Sequence, residues 1–385
     1  MPTAATTGAV SSGPSSNASA SDSAAPASGG AVVPFIRGSG LHREAVYDGT
    51  WTPGANVQVI PQIDINAYGY LRSLVVRVDG VVGVGTAVTT VEDGPFCAIV
   101  NPTLYQPNGF PFYQVSSGIS SYYIHKYGGY RGYNDPKQWT KYAYTTGSGT
   151  APNLAYYFRI PVELNIRDAL GALPNKNAAA PFKLSLSVNT LANIFGGTVT
   201  TAPQLRIRVY LEAWDQPPAE LDGQPVQTTP PAMNTIQYWT EQPITVQAGQ
   251  FNARSTRMGN YLRLIVPILR RASSTRANGQ TDWPDPLTLM IDQRNQDYIA
   301  KDMWAADIYE KWGYFGSYEA ANGPDNGVFP YDWAHEFDGS VGFENRDLWL
   351  PTIEATRFEM SGVWGNQGVI TFLTNDVAPQ GNVFV

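Results

Sequence analysis

From Ala31 onward the chain is written in short apolar runs broken by turn residues. Tyr70-Leu71-Arg72-Ser73-Leu74-Val75-Val76-Arg77-Val78 predicts a strand ending at Asp79-Gly80, and residues 155–164 predict another. Residues 182–188 and 205–213 alternate apolar with polar side chains, the period-two signature of a strand with one face in a core. Residues 57–65 alternate in part. Ile166-Arg167-Asp168-Ala169-Leu170-Gly171-Ala172-Leu173 predicts one or two helical turns. Residues 286–312 place Tyr298, Ile299, Met303, Trp304, Ile308, Tyr309 and Trp312 at helical spacing, which predicts the chain's one clear helix.

The plan occurs twice, in the same order. Tyr261-Leu262-Arg263-Leu264-Ile265-Val266-Pro267-Ile268 echoes the run at Tyr70, and Asn345-Arg346-Asp347 through Leu350-Pro351 echoes Ile166-Arg167-Asp168 through Leu173-Pro174. Residues 357–361 answer 182–188, and residues 368–374 answer 205–213. The offset falls from about 190 to about 160 residues, as shorter loops in the second half require. A duplicated β-sandwich of this length fits an all-β chain of two tandem eight-stranded jelly rolls with a few short helices.

Residues 216–234 hold five prolines, which remove ladder donors and fix an extended path between the two halves. Residues 1–30 are nearly all Ala, Ser, Thr, Gly and Pro, with too little apolar surface to offset their ordering entropy. The expected division is therefore a flexible low-complexity arm (1–33), a first jelly roll (34–215), a Pro-rich linker (216–234), a second jelly roll (235–375) and a C-terminal arm (376–385). That last arm finishes on Val383-Phe384-Val385. Burying Phe384 in a neighbouring copy would contribute about 1.5–3 kcal/mol, which makes the tripeptide a candidate assembly contact. The competing reading folds it back on its own roll.

Of the 385 residues, 43% are hydrophobic and only 15% charged, which suits a protein whose faces are covered by copies of itself. The net charge of −7 leaves no cationic surplus for phosphates, so no direct nucleic-acid contact is expected. The single cysteine, Cys97, excludes a disulfide within the chain and reads as a buried apolar thiol. No apolar stretch reaches the ~18 residues of a membrane span, and the N-terminus shows no recognisable secretion signal; synthesis in a cytoplasm is the expectation.

With those elements placed, residues 155–189 resemble the tectivirus-like double jelly-roll major capsid proteins. There a Tyr-Tyr-aromatic strand reaches a proline, an Asp-Leu/Ala loop with Ala-Leu follows, and a second proline precedes a Lys/Leu alternating strand. Here the elements are Tyr156-Tyr157-Phe158, Pro161, Asp168-Ala169-Leu170, Pro174 and Phe182-Lys183-Leu184. The run from Tyr70, the stretches Ala98-Ile99-Val100-Asn101-Pro102 and 122–125, and Asn345-Arg346-Asp347 extend the resemblance to residues 57–375. It implies a structural protein of the virion capsid with no enzymatic activity and no cofactor. The partners it implies are the chain itself, as a homotrimer forming a pseudo-hexagonal capsomer of an icosahedral shell, with neighbouring capsomers and minor capsid and vertex proteins. It also implies a shell over an internal viral membrane. In that family the N-terminus often forms a helix beside the membrane; the tail here departs from this, having no amphipathic period.

Three features hold candidate chemistry. His335 lies among Asp332, Glu336 and Asp338, but a metal site needs several converging ligands and His335 is the one local histidine, so a solvated or interface loop is favoured. Asp282, Asp285, Asp302, Asp307 and Glu310 offer carboxylates for glycoside hydrolysis, against the commoner reading of solvated charge. Tyr127, Tyr130, Tyr133, Trp139 and Tyr142, in an aromatic stretch that begins at Tyr122, fit an outer loop that stacks sugars or, preferably, a subunit interface. His125 reads as a sheet residue within that stretch. No nucleophile elbow, P-loop or dinucleotide fingerprint occurs. The rival function is a secreted carbohydrate-binding or carbohydrate-cleaving β-sandwich. A fibre or adhesin module would carry fibrous repeats, which the sequence lacks.

Overall fold

The computed structural model describes residues 32–81, 84–128, 135–144, 154–273, 275–277, 282, 284–292, 294–300, 303–304, 306–307, 310, 326–334 and 344–380. The first half contributes β1 (Leu41–Trp51), β2 (Gln58–Val59), β3 (Ile63–Asp64), β4 (Tyr70–Val81), β5 (Val84–Thr90), β6 (Ile99–Tyr105), β7 (Pro111–Gln114), β8 (Ala143–Tyr144), β9 (Leu154–Pro161), β10 (Leu173–Pro174), β11 (Lys183–Val188), β12 (Phe195–Thr201) and β13 (Gln204–Trp214). A hairpin, β14 (Glu220–Leu221) and β15 (Gln224–Pro225), follows. The second half supplies β16 (Ile236–Val246), β17 (Gly249–Ser255), β18 (Tyr261–Arg271), β19 (Leu287–Ile291), β20 (Arg294–Ile299), β21 (Tyr331–Asp332), β22 (Leu350–Pro351), β23 (Phe358–Trp364) and β24 (Gly368–Ala378). Helices are short: α1 (Phe35–Gly38), α2 (Gly118–Tyr127) and α3 (Leu191–Ile194). No helix among the described residues is long and apolar enough to cross a membrane.

The strand orders identify the architecture. In the first half, β1-β13-β4-β9 forms one sheet, and β2 with β3, then β11, β6 and β7, forms the other. In the second half the sheets are β16-β24-β18-β21 and β17-β23-β19-β20. If β2 and β3 count as one interrupted strand and the accessory strands β5, β8, β10, β12 and β22 are set aside, each half has its first strand beside its last, then its third and sixth. Its second strand lies beside its seventh, fourth and fifth. This is the jelly-roll order in both halves, and the molecule is a double jelly roll.

The sequence echo is reproduced at the level of register. Leu173 and Pro174 of β10 pair with Leu71 and Tyr70; Leu350 and Pro351 of β22 pair with Leu262 and Tyr261. The strands at 182–188 and 357–361 are β11 and β23, and those at 205–213 and 368–374 are β13 and β24. Each roll also carries a bulge at the same place. Between Ser73 and Leu71 the ladder to β13 skips Arg72, and between Leu264 and Leu262 the ladder to β24 skips Arg263.

A bulge re-aims a side chain that strict alternation would point elsewhere. Arg72 Nε donates to Glu163 Oε1 at 2.5 Å, and Trp214 Nε1 donates to Glu163 Oε2 at 2.6 Å. In the second roll Arg263 Nε donates to Glu344 Oε1 at 2.5 Å and Nη2 to Oε2 at 2.9 Å, while Trp349 Nε1 donates to Glu344 Oε1 at 2.7 Å. One arginine, one glutamate and one tryptophan thus form a sealed knot twice. Glu163 is 0% exposed and Arg263 2%.

The two cores explain a difference in strand composition. On β18, Leu264, Val266 and Ile268 join the first roll's core together with Trp239 and Leu373, whereas Leu262, Ile265 and Leu269 join the second core with Ile370 and Phe372. That sheet is covered on both faces, so its central strand is a nearly unbroken apolar run. In contrast, β13 alternates, because Leu205, Ile207, Val209 and Leu211 face the core while Arg206, Arg208 and Tyr210 do not.

Several local expectations are corrected. Residues 287–291 and 294–299 are the paired strands β19 and β20, with Leu287 opposite Ile299, and not the start of a helix. Leu287-Thr288-Leu289 also fits period two, Asp292 (φ 48°) makes the turn, and pairing with β23 decides the outcome. Met303 and Trp304 are helical, with Trp304 N–H donating to the Ala300 carbonyl at 3.0 Å; Ile308, Tyr309 and Trp312 lie outside the described residues. His125 lies in α2, not in a strand. That helix is buried all round and so has no polar face to betray its period. The helical turns expected at 166–173 are a non-helical loop that ends in β10 at Leu173, because Asn165 and Asp168 accept backbone N–H bonds from Arg167 and Leu170.

Two expected boundaries move as well. The last strand runs through Ala378, so residues 376–378, assigned to the C-terminal arm, belong to the sheet, and Asp376 is buried beside Arg257 (Nη2 to Oδ2 2.7 Å). Val33, assigned to the N-terminal arm, bridges Val226, donating to the Pro225 carbonyl at 2.8 Å. The Pro-rich stretch is not merely extended, since Asp222 (φ 51°) and Gly223 (φ 75°) turn a hairpin within it.

Removing one partner of a buried ion pair leaves an uncompensated charge. Glu344→Ala should therefore lower unfolding free energy by about 3–5 kcal/mol, read from urea midpoints. Arg263→Met combined with Glu344→Leu should recover most of that loss.

Candidate functional site

The rolls are joined by a strand pair. Strand β7 runs parallel to β16, with Tyr113 opposite Trp239 and Gln114 opposite Thr240, so one sheet of each roll merges into a single ten-stranded sheet. Polar side chains lock the seam. Glu241 accepts from Ser116 N–H (2.7 Å) and Ser116 Oγ (2.8 Å). Gln237 Nε2 donates to the carbonyls of Val162 (3.0 Å) and Glu163 (2.8 Å). Arg263 Nη1 reaches the Gly128 carbonyl at 2.8 Å, and Arg346 pairs with Asp168.

The most charged point of the seam is Asp93. Arg270 Nη2 lies 2.7 Å from Oδ2, and Arg276 Nη2 lies 2.5 Å from Oδ1, both arginines coming from the second roll. Arg276 is fully buried, stands 5.2 Å from the Tyr123 ring centroid and donates its backbone N–H to Glu92 at 3.0 Å. Burial disfavours the Asp93 carboxylate, yet the two facing guanidinium groups outweigh it and hold its pKa below the ordinary aspartate value. A cavity of about 340 Å³ borders Asp93, Ser116, Ser120, Glu241 and Arg270, which gives water a route to the seam.

Each roll also ends in an open edge. Strand β1 has β13 on one side, and β20 has β19; neither has a further neighbour among the described residues. Their apolar side chains Leu41 and Tyr298 are 63% and 65% exposed.

The outer face of β1-β13-β4-β9 is the second candidate. Glu212 accepts from Arg43 Nε at 3.0 Å and also pairs with Arg159, whose Nη1 donates to Ser73 Oγ at 2.8 Å. Asp79 accepts from Arg77 Nη2 at 2.8 Å and also pairs with Arg208. Each carboxylate therefore meets two guanidinium groups. Trp139 lies 5.0 Å from the Arg77 guanidinium and edge-on to Tyr157 at 5.2 Å. Between these groups opens a cavity of about 310 Å³, lined by Arg43, Arg77, Arg159, Trp139, Tyr157 and Tyr210 over Val75.

The sequence-derived candidates are scattered by the fold. Val383, Phe384, Val385, Tyr130, Tyr133 and His335 lie outside the described residues. Tyr127 is a correction: it is 2% exposed in α2, stacked at 6.4 Å on Tyr123, and so belongs to the core and not to an outer loop. Trp139 and Tyr142 are half-buried but diverge; Tyr142 faces Phe96 at 6.3 Å, and burial pushes its hydroxyl pKa up. Asp282 is paired with Arg271 (Nε 2.7 Å) and Asn366 (Nδ2 2.7 Å), a structural arrangement. Cys97 is buried, with its pKa pushed up by desolvation and its thiol 3.3 Å from the Asn193 carbonyl. Sequence reasoning missed Asp93, Arg270 and Arg276, whose pairing spans the two halves. It also missed the arginine-rich face, although Arg206 and Arg208 were visible as the polar phase of an alternating strand.

No family model matches the chain, and no curated protein matches it in sequence. Many solved structures are similar in fold. The crystal structure of the STIV major capsid protein superposes with a TM-score of 0.58 at 15% identity, covering 88% of this chain and 97% of that one. A chain from the atomic structure of Sulfolobus Turreted Icosahedral Virus gives 0.55 at 14% identity, covering 88% and 90%. At such identity the likeness is one of fold, and the fold is the double jelly roll of viral major capsid proteins.

Proposed function

We propose that this chain is the major capsid protein of an icosahedral virus, a structural component of the virion and not an enzyme. Three copies form a pseudo-hexagonal capsomer. Neighbouring capsomers and minor capsid and vertex proteins are its further partners, and the shell encloses an internal membrane, as the sequence resemblance implies.

One observation carries the reading. Within the chain, the fifth strand of the first roll (β7) pairs with the first strand of the second (β16). The fifth strand of the second roll (β20) and the first strand of the first (β1) are the equivalent elements, and among the described residues both edges are open. Repeating the internal junction between copies places β20 of one chain beside β1 of the next. Such a head-to-tail contact closes into a ring when the rotation permits, and three two-roll chains then present six rolls. Open edges of this kind invite aggregation unless covered, which gives the pairing its driving force.

Size-exclusion chromatography with light scattering of the full-length protein should give a trimer, and negative-stain images should show hexagonal outlines. Leu41→Lys and Tyr298→Lys should each shift the protein toward monomer with little change in its unfolding midpoint, because both side chains are largely exposed within one chain. A stable monomer from the unsubstituted protein would contradict the proposal.

The seam makes a separate prediction about acid. Asp93 has a depressed folded pKa, so its contribution to stability is fully present above the unfolded value, about 3.9, and is lost as pH falls through the folded one. Urea midpoints should hold steady down to about pH 5 and decline below about pH 4, and Asp93→Asn should have a shallower decline.

A further inference from the structure

We propose that the cavity on the outer face of β1-β13-β4-β9 is a socket for a second copy of this chain, filled by the helical stretch that follows β20. The proposal rests on the ring described above and names the chemistry of its contact.

The chain itself supplies the template. Helix α2 follows β7, the fifth strand of the first roll, and its Tyr123, Ile124 and Tyr127 share a core with Leu264, Val266 and Ile268 of β18. The Gly128 carbonyl at its end accepts from Arg263 Nη1 at 2.8 Å. After β20, the fifth strand of the second roll, residues 303, 304, 306, 307 and 310 are helical too. Trp304 anchors them to their own roll, donating to the Pro330 carbonyl at 3.2 Å and standing edge-on to Phe329 at 5.2 Å. Met303, Ala306, Asp307 and Glu310 fall on one stripe at helical spacing. Met303 is 60% exposed, Ala306 and Glu310 are exposed, and Asp307 is half-buried. Counted from the equivalent Leu71 and Leu262, the β4 residues that match Leu264, Val266 and Ile268 are Ser73, Val75 and Arg77. Repeating the internal junction between copies lays the stripe on those residues.

The two faces differ for a physical reason. The β18 face is covered as soon as one chain folds, so it is apolar. The β4 face gains its cover only when copies meet, and until then it needs charge. Arg43 and Arg159 share Glu212, while Arg77 and Arg208 share Asp79, which leaves two more cations than anions around the cavity. Asp307 and Glu310 bring two carboxylates, which guanidinium forks match through paired N–H donors. Between the arginines, Trp139, Tyr157 and Tyr210 wall a space of about 310 Å³ over Val75. The unbranched, polarisable side chain of Met303 fits such an irregular aromatic gap. Arg77 is already held between Asp79 and the Trp139 ring, so little side-chain freedom is lost on docking.

The test is a disulfide across the contact. Cys97 is buried and does not compete. The full-length chain carrying Met303→Cys with Trp139→Cys should give a covalent trimer on a non-reducing gel after mild oxidation, and neither single variant should. Asp307→Lys with Glu310→Lys should raise the dissociation constant of the trimer at least about tenfold in sedimentation, because like charges then face each other. Adding Arg43→Glu, at a side chain that is 65% exposed, should reverse part of that loss. Each variant should keep the parent's circular dichroism spectrum, since every changed side chain is exposed or half-buried in one chain. A trimer that yields no covalent band, or that tolerates the double charge reversal unchanged, overturns the proposal and leaves the capsid reading in place. A monomeric parent protein overturns both.

Discussion

A guanidinium group folded into the interior beside a glutamate is the interaction on which each roll is organised. In both rolls the arginine occupies a bulge two residues into the third principal strand, and in both a tryptophan indole completes the carboxylate's hydrogen bonds. The arrangement ties three distant stretches together in the first roll and two in the second. A strand, the loop before the seventh principal strand and either the last strand or that same loop must all be in place before the charges are satisfied. Such a pair adds little net stability compared with apolar packing, but it strongly penalises any register that leaves one partner alone.

The same device is used differently in the two rolls. Arg72, Glu163 and Trp214 all belong to the first roll. Arg263 also donates to the Gly128 carbonyl and to Asn375 Oδ1 at 3.1 Å, so the second copy of the knot fastens its roll to the first. Combined with Asp93 between Arg270 and Arg276, and with β7 pairing β16, this makes the relative placement of the rolls a part of folding. A rigid pair of rolls suits the ring of repeated junctions proposed above, because angular error at each junction would otherwise accumulate.

The legibility of the fold in the sequence varied with burial. Strands with one covered face announced themselves: Leu205-Arg206-Ile207-Arg208-Val209 alternates because its arginines lie on the open face and its aliphatics do not. Elements buried all round gave weaker signals. Helix α2 has no polar side to set a phase, and its tyrosines and histidine read as a strand or an outer loop. The hairpin β19–β20 contains apolar spacings that fit a helix as well as a strand, and only its pairing with β23 decides between them. The aromatic stretch from Tyr122 to Tyr144 was visible as a cluster, yet the fold divides it, sending Tyr127 into the core and Trp139 to the arginine-rich face.

By itself the sequence determined that the chain is all-β, duplicated, and interrupted by a proline-rich connection, since period, turn residues and ordered repetition are local properties. It also held Arg72 and Arg263 in view as charges inside apolar strands, without showing where they point. Only the tertiary structure decided that a bulge turns them inward, that Glu163 and Glu344 receive them, and that Asp93 meets two arginines from the other half. Those pairings join residues roughly 80 to 180 positions apart. No local propensity encodes such a separation; it is set by strand register, and register follows from which faces the folded chain must bury.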